Sequence, residues 1–361
     1  MDETPQDSAP PQPSAPFLTS PAPQVVVQQS GGLLLRGFAF LGWAGFLFCG
    51  IWAVGQLIAL GQYFDRSGGI SEKYHSGRKF ASNKIAIIDV SGVIMSGDGY
   101  VIRQIERVRD DDSIKAVVVR VESPGGTITG SDFIFHHLNK LREDRKLPLV
   151  VSMGSIAASG GYYVAMAVGD QPDSIFAEPT TTTGSIGVII PHYDVTGLME
   201  ELRIKDDSIA THPRKQMLSM TRPITDDHRV VIEAYLNEAF ERFKEIVKIG
   251  RPAFRDDPEK LDVLATGQIF TANQAEANGL VDKIGFIDAA LERVAEMAKI
   301  DLEATRVVEF EQPASLLAIS GLGTARLSAQ NRFAEFLELS TPKAYYLFTS
   351  LPPLMTTWAQ K

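Results

Sequence analysis

The chain has 361 residues, of which 44% are hydrophobic and 22% charged, a composition typical of a globular protein with room for two or three domains. The formal net charge is −9 and no basic patch carries interleaved aromatic residues, so we expect no nucleic-acid partner. A single cysteine, Cys49, excludes an internal disulfide bond and leaves the cellular compartment open.

Residues 1–36 are predicted to be a disordered tail. Most of this segment is rich in proline, serine and glutamine and has few large apolar side chains. Folding it would bury too little surface to offset the entropy that ordering costs. Binding of a partner by the proline-rich stretch is the alternative interpretation.

Residues 37–60 are predicted to be a transmembrane helix, because they contain no charged residue and about 20 apolar residues suffice to cross a bilayer. The alternative is a cleaved signal peptide, which has a shorter apolar region and a basic N-terminal side. The preceding tail is long and acidic here, with Asp2, Glu3 and Asp7. We therefore interpret the segment as a single retained anchor.

The charges beside this segment do not fix its orientation. Only Arg36 precedes it closely, whereas four basic residues follow it: Arg66, Lys73, Arg78 and Lys79. The positive-inside rule would place the large domain in the cytoplasm, but the rule is weak for long folded domains. The charge count alone leaves the side of the membrane open.

Residues 61–83 are predicted to be a polar linker, residues 84–300 an α/β domain and residues 301–361 a C-terminal extension. Within the domain, predicted strands alternate with amphipathic helices. The strands are residues 85–90, 116–121, 149–153 and 174–177, and the helices are residues 100–109, 131–143 and 226–248. This alternation predicts right-handed crossovers and a mainly parallel sheet. Two apolar segments of the extension, residues 333–339 and 345–354, are predicted to pack on the domain or on the membrane.

The stretch from Gly154 to Gly169 joins an apolar strand to a buried helix through small residues. Ser159 lies at this junction and is followed by Gly160 and Gly161. A serine at such a turn has free backbone N–H groups and the positive end of a helix dipole beside it. We therefore take Ser159 as the candidate nucleophile; the alternative is that the glycines only allow a helix to pack tightly on the sheet.

A second glycine pair, Gly125 and Gly126, follows the strand that ends near Val121. A glycine pair at the C-terminal end of a strand can turn an N–H outward as an oxyanion donor. Ligands also bind at these strand ends in parallel sheets. The alternative is an ordinary turn. A phosphate loop is excluded, because no Gly-Lys-Ser/Thr follows at the required spacing.

A serine nucleophile needs a base, and none of the six histidines lies in a recognisable triad motif or at metal-ligand spacing. A buried lysine is the alternative base, and the candidates are Lys205 and Lys215. Such a lysine needs its pKa lowered from about 10.4 to about 7–8, which burial in an apolar pocket beside hydroxyl groups can supply. The sequence pattern alone leaves the choice of base open.

Four motifs in this order resemble the signal peptide peptidase A family. They are Ser123-Pro124-Gly125-Gly126, the stretch from Ser152 to Tyr163, Thr183-Gly184-Ser185-Ile186-Gly187-Val188, and Gly267-Gln268-Ile269-Phe270-Thr271 with Gly279-Leu280-Val281-Asp282. The likeness covers roughly residues 84–298. It implies an α/β fold related to the Clp protease and the crotonases, with a mainly parallel sheet and crossover helices, preceded by one transmembrane helix.

The same resemblance implies the roles of individual residues. Ser159 is the nucleophile, Lys215 the general base, and Ser185 the second serine, whose hydroxyl holds the lysine. The oxyanion hole is formed by Gly125, Gly126 and Gly160. Family members carry a short strand before the lysine, which predicts a strand at residues 207–210. The surroundings of Lys215 and the presence of Glu122, where an Asn is frequent, depart from the family pattern.

The resemblance further implies a membrane-bound serine endopeptidase that cleaves remnant signal peptides or other apolar peptides, with the protease domain outside the cytoplasm. It implies a homo-oligomeric ring whose active sites lie at subunit borders. We expect no cofactor and no metal. Two alternatives remain: a crotonase-like acyl-thioester enzyme, and an inactive membrane-anchored scaffold of the same fold.

Overall fold

Four hydrophobic strands predicted from the sequence lie together in one sheet of the computed structural model, which describes residues 32–64, 69–97, 99–311 and 344–347. All strands of the described residues, in chain order, are β1 (Ser71–Gly77), β2 (Lys84–Ser91), β3 (Ile114–Ser123), β4 (Gly125–Thr127), β5 (Leu149–Ala158), β6 (Ile175–Ala177), β7 (Thr182–Gly184), β8 (Ile269–Thr271), β9 (Lys283–Ile284), β10 (Arg306–Glu311) and β11 (Tyr345–Leu347). The predicted strands correspond to β2, β3, β5 and β6. β5 continues five residues beyond its predicted end.

The helices are α1 (Leu33–Phe64), α2 (Tyr100–Asp110), α3 (Ile128–Arg145), α4 (Gly160–Ala165), α5 (Thr196–Glu201), α6 (Asp226–Gly250), α7 (Ala253–Asp256), α8 (Pro258–Leu264), α9 (Ala272–Asn278) and α10 (Ile287–Ala298). Short 3₁₀ helices span Met166–Val168 and Pro213–Gln216. The three predicted amphipathic helices are confirmed as α2, α3 and α6. Thr127 begins α3, since its side chain accepts a hydrogen bond from the Gly130 N–H.

The central sheet has the order β1-β10-β2-β3-β5-β6-β9, and β7 pairs with the far end of β5. All pairs from β10 to β9 are parallel, whereas β1 pairs with β10 and β8 pairs with β7 in the antiparallel sense. The domain is therefore mixed α/β with a mostly parallel sheet, as the alternation of strands and helices predicts.

Both faces of the central strands are buried, which explains their continuous hydrophobic runs. Val117, Val119 and Val121 of β3 belong to a large core with residues of α2, α3, α4 and α6. Ala116 and Val118 of the same strand belong to a second core with residues of α10. The period of two along a strand sends successive side chains into these two layers.

Helix α1 is the predicted apolar segment, and it is longer than the predicted residues 37–60. Its 32 residues span about 48 Å at 1.5 Å per residue, more than the roughly 30 Å hydrocarbon core of a bilayer. Within it, Phe40–Leu57 has a mean hydropathy of 1.5 and no buried part. By length and composition this helix can cross a membrane once.

The structure corrects three sequence-based assignments at the edges of the domain. Residues 71–77 of the predicted linker form β1, and residues 306–311 of the predicted extension form β10, which joins the central sheet. The strand predicted at residues 207–210 is absent. There, the Asp206 carboxylate accepts a hydrogen bond from the Ser208 N–H at 2.9 Å, and the Ile209 side chain is fully exposed. This local turn takes the place of a strand that has no partner in a single chain.

Candidate active site

Ser159 lies between the last residue of β5 and the first residue of α4, as the sequence predicts. Its φ is 53°, which is unusual for a residue other than glycine and marks a strained turn of the kind found at functional sites. The Ser159 N–H donates to the Gly184 carbonyl at 2.7 Å, and the residue is 1% exposed. The turn thus holds the serine firmly at the N-terminus of a helix, where N–H groups lack partners inside the helix.

Ser185 occupies the same kind of position on the neighbouring strand. The register pairs Ala158 of β5 with Gly184 of β7, so the two serines directly follow paired residues of parallel strands. Ser185 also has a φ of 53°, and its N–H donates to the Gln268 carbonyl at 2.7 Å. Both serines line one cavity of about 560 Å³. The structure therefore brings the predicted nucleophile and the predicted second serine to one site.

Gly125 and Gly160 pack against each other beside this cavity. An added Cβ on Gly125 would stand 2.6 Å from the Gly160 nitrogen, and one on Gly160 would stand 3.1 Å from the Gly125 Cα. The φ of Gly125 is 101°, a conformation that L side chains rarely adopt. Only glycine therefore fits at either position while the two turns lie so close together.

The N–H groups of the glycine pair differ in their surroundings. The Gly125 N–H donates to the Ser123 hydroxyl at 3.1 Å, while that hydroxyl donates to the Gly92 carbonyl at 2.6 Å. Gly126 pairs with Ile94 and with Tyr346 of β11. Of the pair, Gly126 is therefore better placed to donate to a bound ligand in place of β11.

Lys215 is not brought to the cavity. It lies on the exposed 3₁₀ helix Pro213–Gln216, and its side chain is exposed, as is that of Lys205. A single chain therefore does not supply the burial expected for the lysine base, and the role of Lys215 stays a prediction. The physical reason is that this region is held by surface ion pairs, with Arg222 bonded to Asp206 at 2.9 Å and Arg214 to Asp227 at 2.7 Å.

Glu122 and Ser155 form a structural contact beside the site. The Glu122 carboxylate accepts hydrogen bonds from the Ser155 hydroxyl, from the Ser155 N–H at 2.9 Å and from the Ile156 N–H at 3.2 Å. Ser155 therefore has a structural role here, as a partner of Glu122. The glutamate that departs from the family pattern fixes the second half of β5 by satisfying its backbone donors.

Two buried tyrosines anchor α4 behind the nucleophile turn. The Tyr162 hydroxyl donates to the Leu280 carbonyl at 2.8 Å, and the Tyr163 hydroxyl donates to the Asp132 carboxylate. Burial raises the pKa of both phenols well above the usual value, so both hydroxyls stay neutral donors. Asp132 also pairs with Arg242 at 2.9 Å, so α3, α4 and α6 are connected at this point.

The sequence reasoning missed most of the cavity wall. Ile189, Phe240 and Leu347 line the cavity together with the serines, and Leu347 belongs to β11. For residues 345–347, the structure selects packing on the domain over packing on the membrane. The predicted segment 333–339 lies outside the described residues. Three apolar or aromatic residues in a row, Tyr345 to Leu347, were the signal available for this strand.

Among the residues that the structure describes, no group of three or more histidine, cysteine, aspartate or glutamate side chains is placed to hold a metal ion. Within the part of the chain that the structure describes, no histidine lines the cavity that contains Ser159 and Ser185. The described lining of the cavity offers the hydroxyl groups of Ser159 and Ser185.

The fold and the site together define a class: α/β proteins with a buried serine, held at positive φ between a parallel strand and a helix, beside a close pair of glycine turns. This arrangement suits acyl transfer, because N–H groups at the turn can stabilise an oxyanion. Residues 141–301, which include Ser159, Ser185 and Lys215, match the model of peptidase family S49.

Known relatives agree with this match. The chain is 34% identical over 256 residues to "Putative signal peptide peptidase SppA" of Enterococcus faecium, across 67% of this chain and 72% of the relative. It is 35% identical over 224 residues to Protease 4 of Salmonella typhi, across 60% of this chain and 35% of the relative. It is 28% identical over 283 residues to the chloroplastic serine protease SPPA of Arabidopsis thaliana, across 74% of this chain and 40% of the relative.

The chain belongs to peptidase family S49, the family of these relatives. The resemblance to signal peptide peptidase A is therefore confirmed. The relatives support a serine protease.

Proposed function

We propose that this protein is a membrane-anchored serine endopeptidase in which Ser159 is the nucleophile and Lys215 the general base. One observation carries the proposal: Ser159 and Ser185 follow paired residues of two parallel strands, both at positive φ, and line one cavity. A strained, buried serine at the start of a helix costs stability. Such strain is found mainly at functional sites.

We infer that the fold is that of the Clp protease and the crotonases. The mostly parallel sheet, the crossover helices and the close approach of the β3–β4 turn to the start of α4 support this assignment. In such an arrangement, two turns from adjacent strands present N–H groups to one point. The domain then comprises residues 84–300 together with β1, β10 and β11.

The proposed reaction is acyl transfer. Neutral Lys215 takes the proton from the Ser159 hydroxyl, and the oxygen attacks a peptide carbonyl carbon. The N–H groups of Gly160 and Gly126 stabilise the resulting oxyanion, with Gly125 giving the turn its shape. Lys215 then protonates the leaving amine, and water hydrolyses the acyl-enzyme to release the new carboxylate and restore Ser159. Ser185 holds the lysine amine through its hydroxyl.

The proposed role of Lys215 requires assembly, because the lysine is exposed in a single chain. The surrounding segment carries exposed apolar side chains, including Leu198, Leu202, Ile204 and Ile209. A second copy of the chain that covers this segment would bury the lysine. We therefore propose a homo-oligomeric ring with the base completed at each subunit border.

The proposed substrates are remnant signal peptides or other apolar peptides at the membrane. Helix α1 supports anchoring in the cell membrane by one span, because its length and composition suit a bilayer. A protease held there meets peptides that remain in the lipid after cleavage. We propose that the protease domain lies outside the cytoplasm. The family resemblance favours this orientation, whereas the count of flanking basic residues favours the opposite one, and we give the resemblance more weight.

Labelling with a serine-directed phosphonate, followed by mass spectrometry, tests the nucleophile. We expect the label on Ser159, and we expect Ser159→Ala and Lys215→Ala each to lower kcat/KM for peptide hydrolysis roughly 10⁴-fold. Ser155→Ala and Lys205→Ala are the matched controls and should retain most activity. Hydrolysis of an acyl-CoA thioester without labelling of Ser159 would point to a crotonase-like enzyme, and the absence of both activities to a scaffold. Full activity in Lys215→Ala would show that another residue is the general base.

A further inference from the structure

Strand β5 contains a bulge in its second half. Val121 of β3 pairs with Met153 of β5, whereas Ser123, two residues later on β3, pairs with Ala157. A single residue of β3, Glu122, therefore lies opposite three residues of β5. A bulge takes backbone groups out of the regular ladder, bends the strand and often re-aims a side chain beside an active site.

The bulge changes the neighbour of β5. Before the bulge, residues 151–153 pair with β6, and after it residues 156–158 pair with β7. Ser159 directly follows the second stretch, and its N–H donates to the Gly184 carbonyl of β7 at 2.7 Å. Ser185 follows Gly184 in the chain. The bulge therefore leads β5 to the strand that carries the second serine.

The Glu122 carboxylate fills the bulge. It accepts hydrogen bonds from the Ser155 N–H at 2.9 Å and from the Ile156 N–H at 3.2 Å, and both donors belong to the bulged stretch. An added Cβ on Gly154 would collide with this carboxylate, so only glycine leaves room for it. The Thr181 hydroxyl donates to the Gly154 carbonyl at 2.6 Å. Side chains thus satisfy backbone groups where the ladder is interrupted.

The charge of this carboxylate is compensated. The Glu122 side chain is 35% exposed and lies 3.8 Å from the Arg120 guanidinium. The same guanidinium pairs with Glu178 at 2.6 Å. Two glutamates therefore share one arginine, whereas the hydrogen bonds to the bulge come from Glu122. Glu178 is for this reason the natural comparison for the role of Glu122.

The residue after Glu122 holds the other half of the candidate site. Successive side chains of a strand point to opposite faces, and Ser123 is fully buried. Its hydroxyl accepts a hydrogen bond from the Gly125 N–H at 3.1 Å. Adjacent residues of β3 thus hold the turn of the proposed oxyanion hole and the approach to Ser159.

We propose that Glu122 is a positioning residue of the peptidase. By holding the bulge of β5, its carboxylate sets the place of Ser159 relative to Ser185 and to the β3–β4 turn. The proposal rests on the proposed peptidase function, because that function makes Ser159 the nucleophile. Glu122 acts through the backbone of β5 rather than on the reacting atoms. A displacement of about 1 Å at a reacting group can lower a rate about 100-fold, so this hold controls kcat.

The variant Glu122→Gln tests the proposal with a side chain of nearly the same size. Its amide NH₂ must face one of the N–H groups that the carboxylate accepted from, so the bulge loses a hydrogen bond. The assay uses the full chain in detergent and a fluorogenic peptide of alanine and leucine residues. Active sites are counted with the phosphonate, so unfolded protein does not enter kcat. We expect kcat to fall about 10–100-fold and KM to change less than about threefold.

The matched control is Glu178→Gln, which removes the same charge beside Arg120 and should keep kcat within about threefold of the wild type. A double-mutant cycle with Ser185→Ala asks whether Glu122 acts on the placement of the two serines. The loss of kcat caused by Glu122→Gln should be at least about threefold smaller in the Ser185→Ala background. A wild-type kcat in Glu122→Gln would overturn the proposal. So would an equal loss in Glu178→Gln, or the same loss in both backgrounds.

Amide hydrogen exchange, followed by mass spectrometry, measures the hold on the bulge without turnover. Peptides that contain Ser155 and Ile156 should exchange at least about tenfold faster in Glu122→Gln than in the wild type, and no faster in Glu178→Gln. Equal exchange in Glu122→Gln and the wild type would refute the hold itself.

The two measurements separate this proposal from the peptidase assignment. Faster exchange in Glu122→Gln with an unchanged kcat refutes the positioning role and leaves the peptidase in place. A wild type that neither hydrolyses the peptide nor takes the phosphonate on Ser159 refutes the peptidase. In that case, faster exchange in Glu122→Gln still leaves the hold on the bulge standing.

Discussion

Substituting Gly160 by alanine tests how closely the two glycine turns approach. The added Cβ would collide with the Ser131 hydroxyl and would stand 3.1 Å from the Gly125 Cα. Ser131 is fully buried, and its hydroxyl donates to the Thr127 carbonyl at 3.0 Å. The alanine therefore either displaces this hydroxyl or pushes α4 away from the β3–β4 turn.

The magnitude follows from these contacts. Overpacking a close-packed site by one methyl costs about 1–3 kcal/mol. Displacing the Ser131 hydroxyl from its acceptor adds about 1 kcal/mol. We expect the free energy of unfolding to fall by about 2–4 kcal/mol, which lowers Tm by roughly 4–16 °C in a domain of this size. Peptidase activity should fall further than stability, because the Gly160 N–H shifts with the helix.

Ser131→Ala supplies the matched second variant, since it removes the atom that the new methyl meets. In a double-mutant cycle, we expect Gly160→Ala to cost about 1–2 kcal/mol less in the Ser131→Ala background than in the wild type. Thermal unfolding followed by circular dichroism in detergent measures all four proteins. A Tm for Gly160→Ala within 1 °C of the wild type, or a cost that Ser131→Ala leaves unchanged, would refute the close approach.

Three other predictions concern charge and hydroxyl groups. Asp282→Ala breaks the partly buried pair with Arg251, 2.7 Å apart, and should lower the free energy of unfolding by about 2–4 kcal/mol in chemical denaturation. Burial opposes ionisation of Asp111, but hydrogen bonds from Lys84 and from a serine outweigh it and hold the Asp111 pKa well below its usual value. The group therefore stabilises the fold above about pH 4 and loses this contribution as the pH falls through the folded pKa, so Asp111→Asn should flatten the acid limb of a stability–pH curve; an unchanged limb would contradict this. Ser185→Ala should lower kcat about 10–100-fold and move the pH–rate profile upward, because the neutral lysine loses a hydrogen bond; an unshifted profile would argue against that contact.

The sequence allowed the central sheet to be predicted because the strands carry their own signal. Val117 to Val121 is a continuous β-branched run broken only by Arg120, which is typical of a strand buried on both faces. The turn around Ser159 was equally predictable, since a strand, small residues and a buried helix follow one another without a gap. The sequence pattern of a strand or helix therefore agrees with the structure where the whole element packs against the core.

The parts that the sequence did not reveal depend on distant partners. β1 looks polar and becomes a strand because β10, more than 200 residues later, pairs with it. β11 is three residues long, and only its two neighbouring segments make it a strand. The exposure of Lys215 could not be predicted either, because the sequence does not show which surfaces a single chain leaves uncovered.

The double pairing of β11 also bears on solubility. While Tyr345–Leu347 lies between β4 and Ile189, it pairs with backbone groups of both segments. A chain that has released this strand presents two open backbone edges at once, and open edges pair readily with other chains. We expect such a state to associate in a concentration-dependent way, so the pairing of β11 protects the chain from association through these edges.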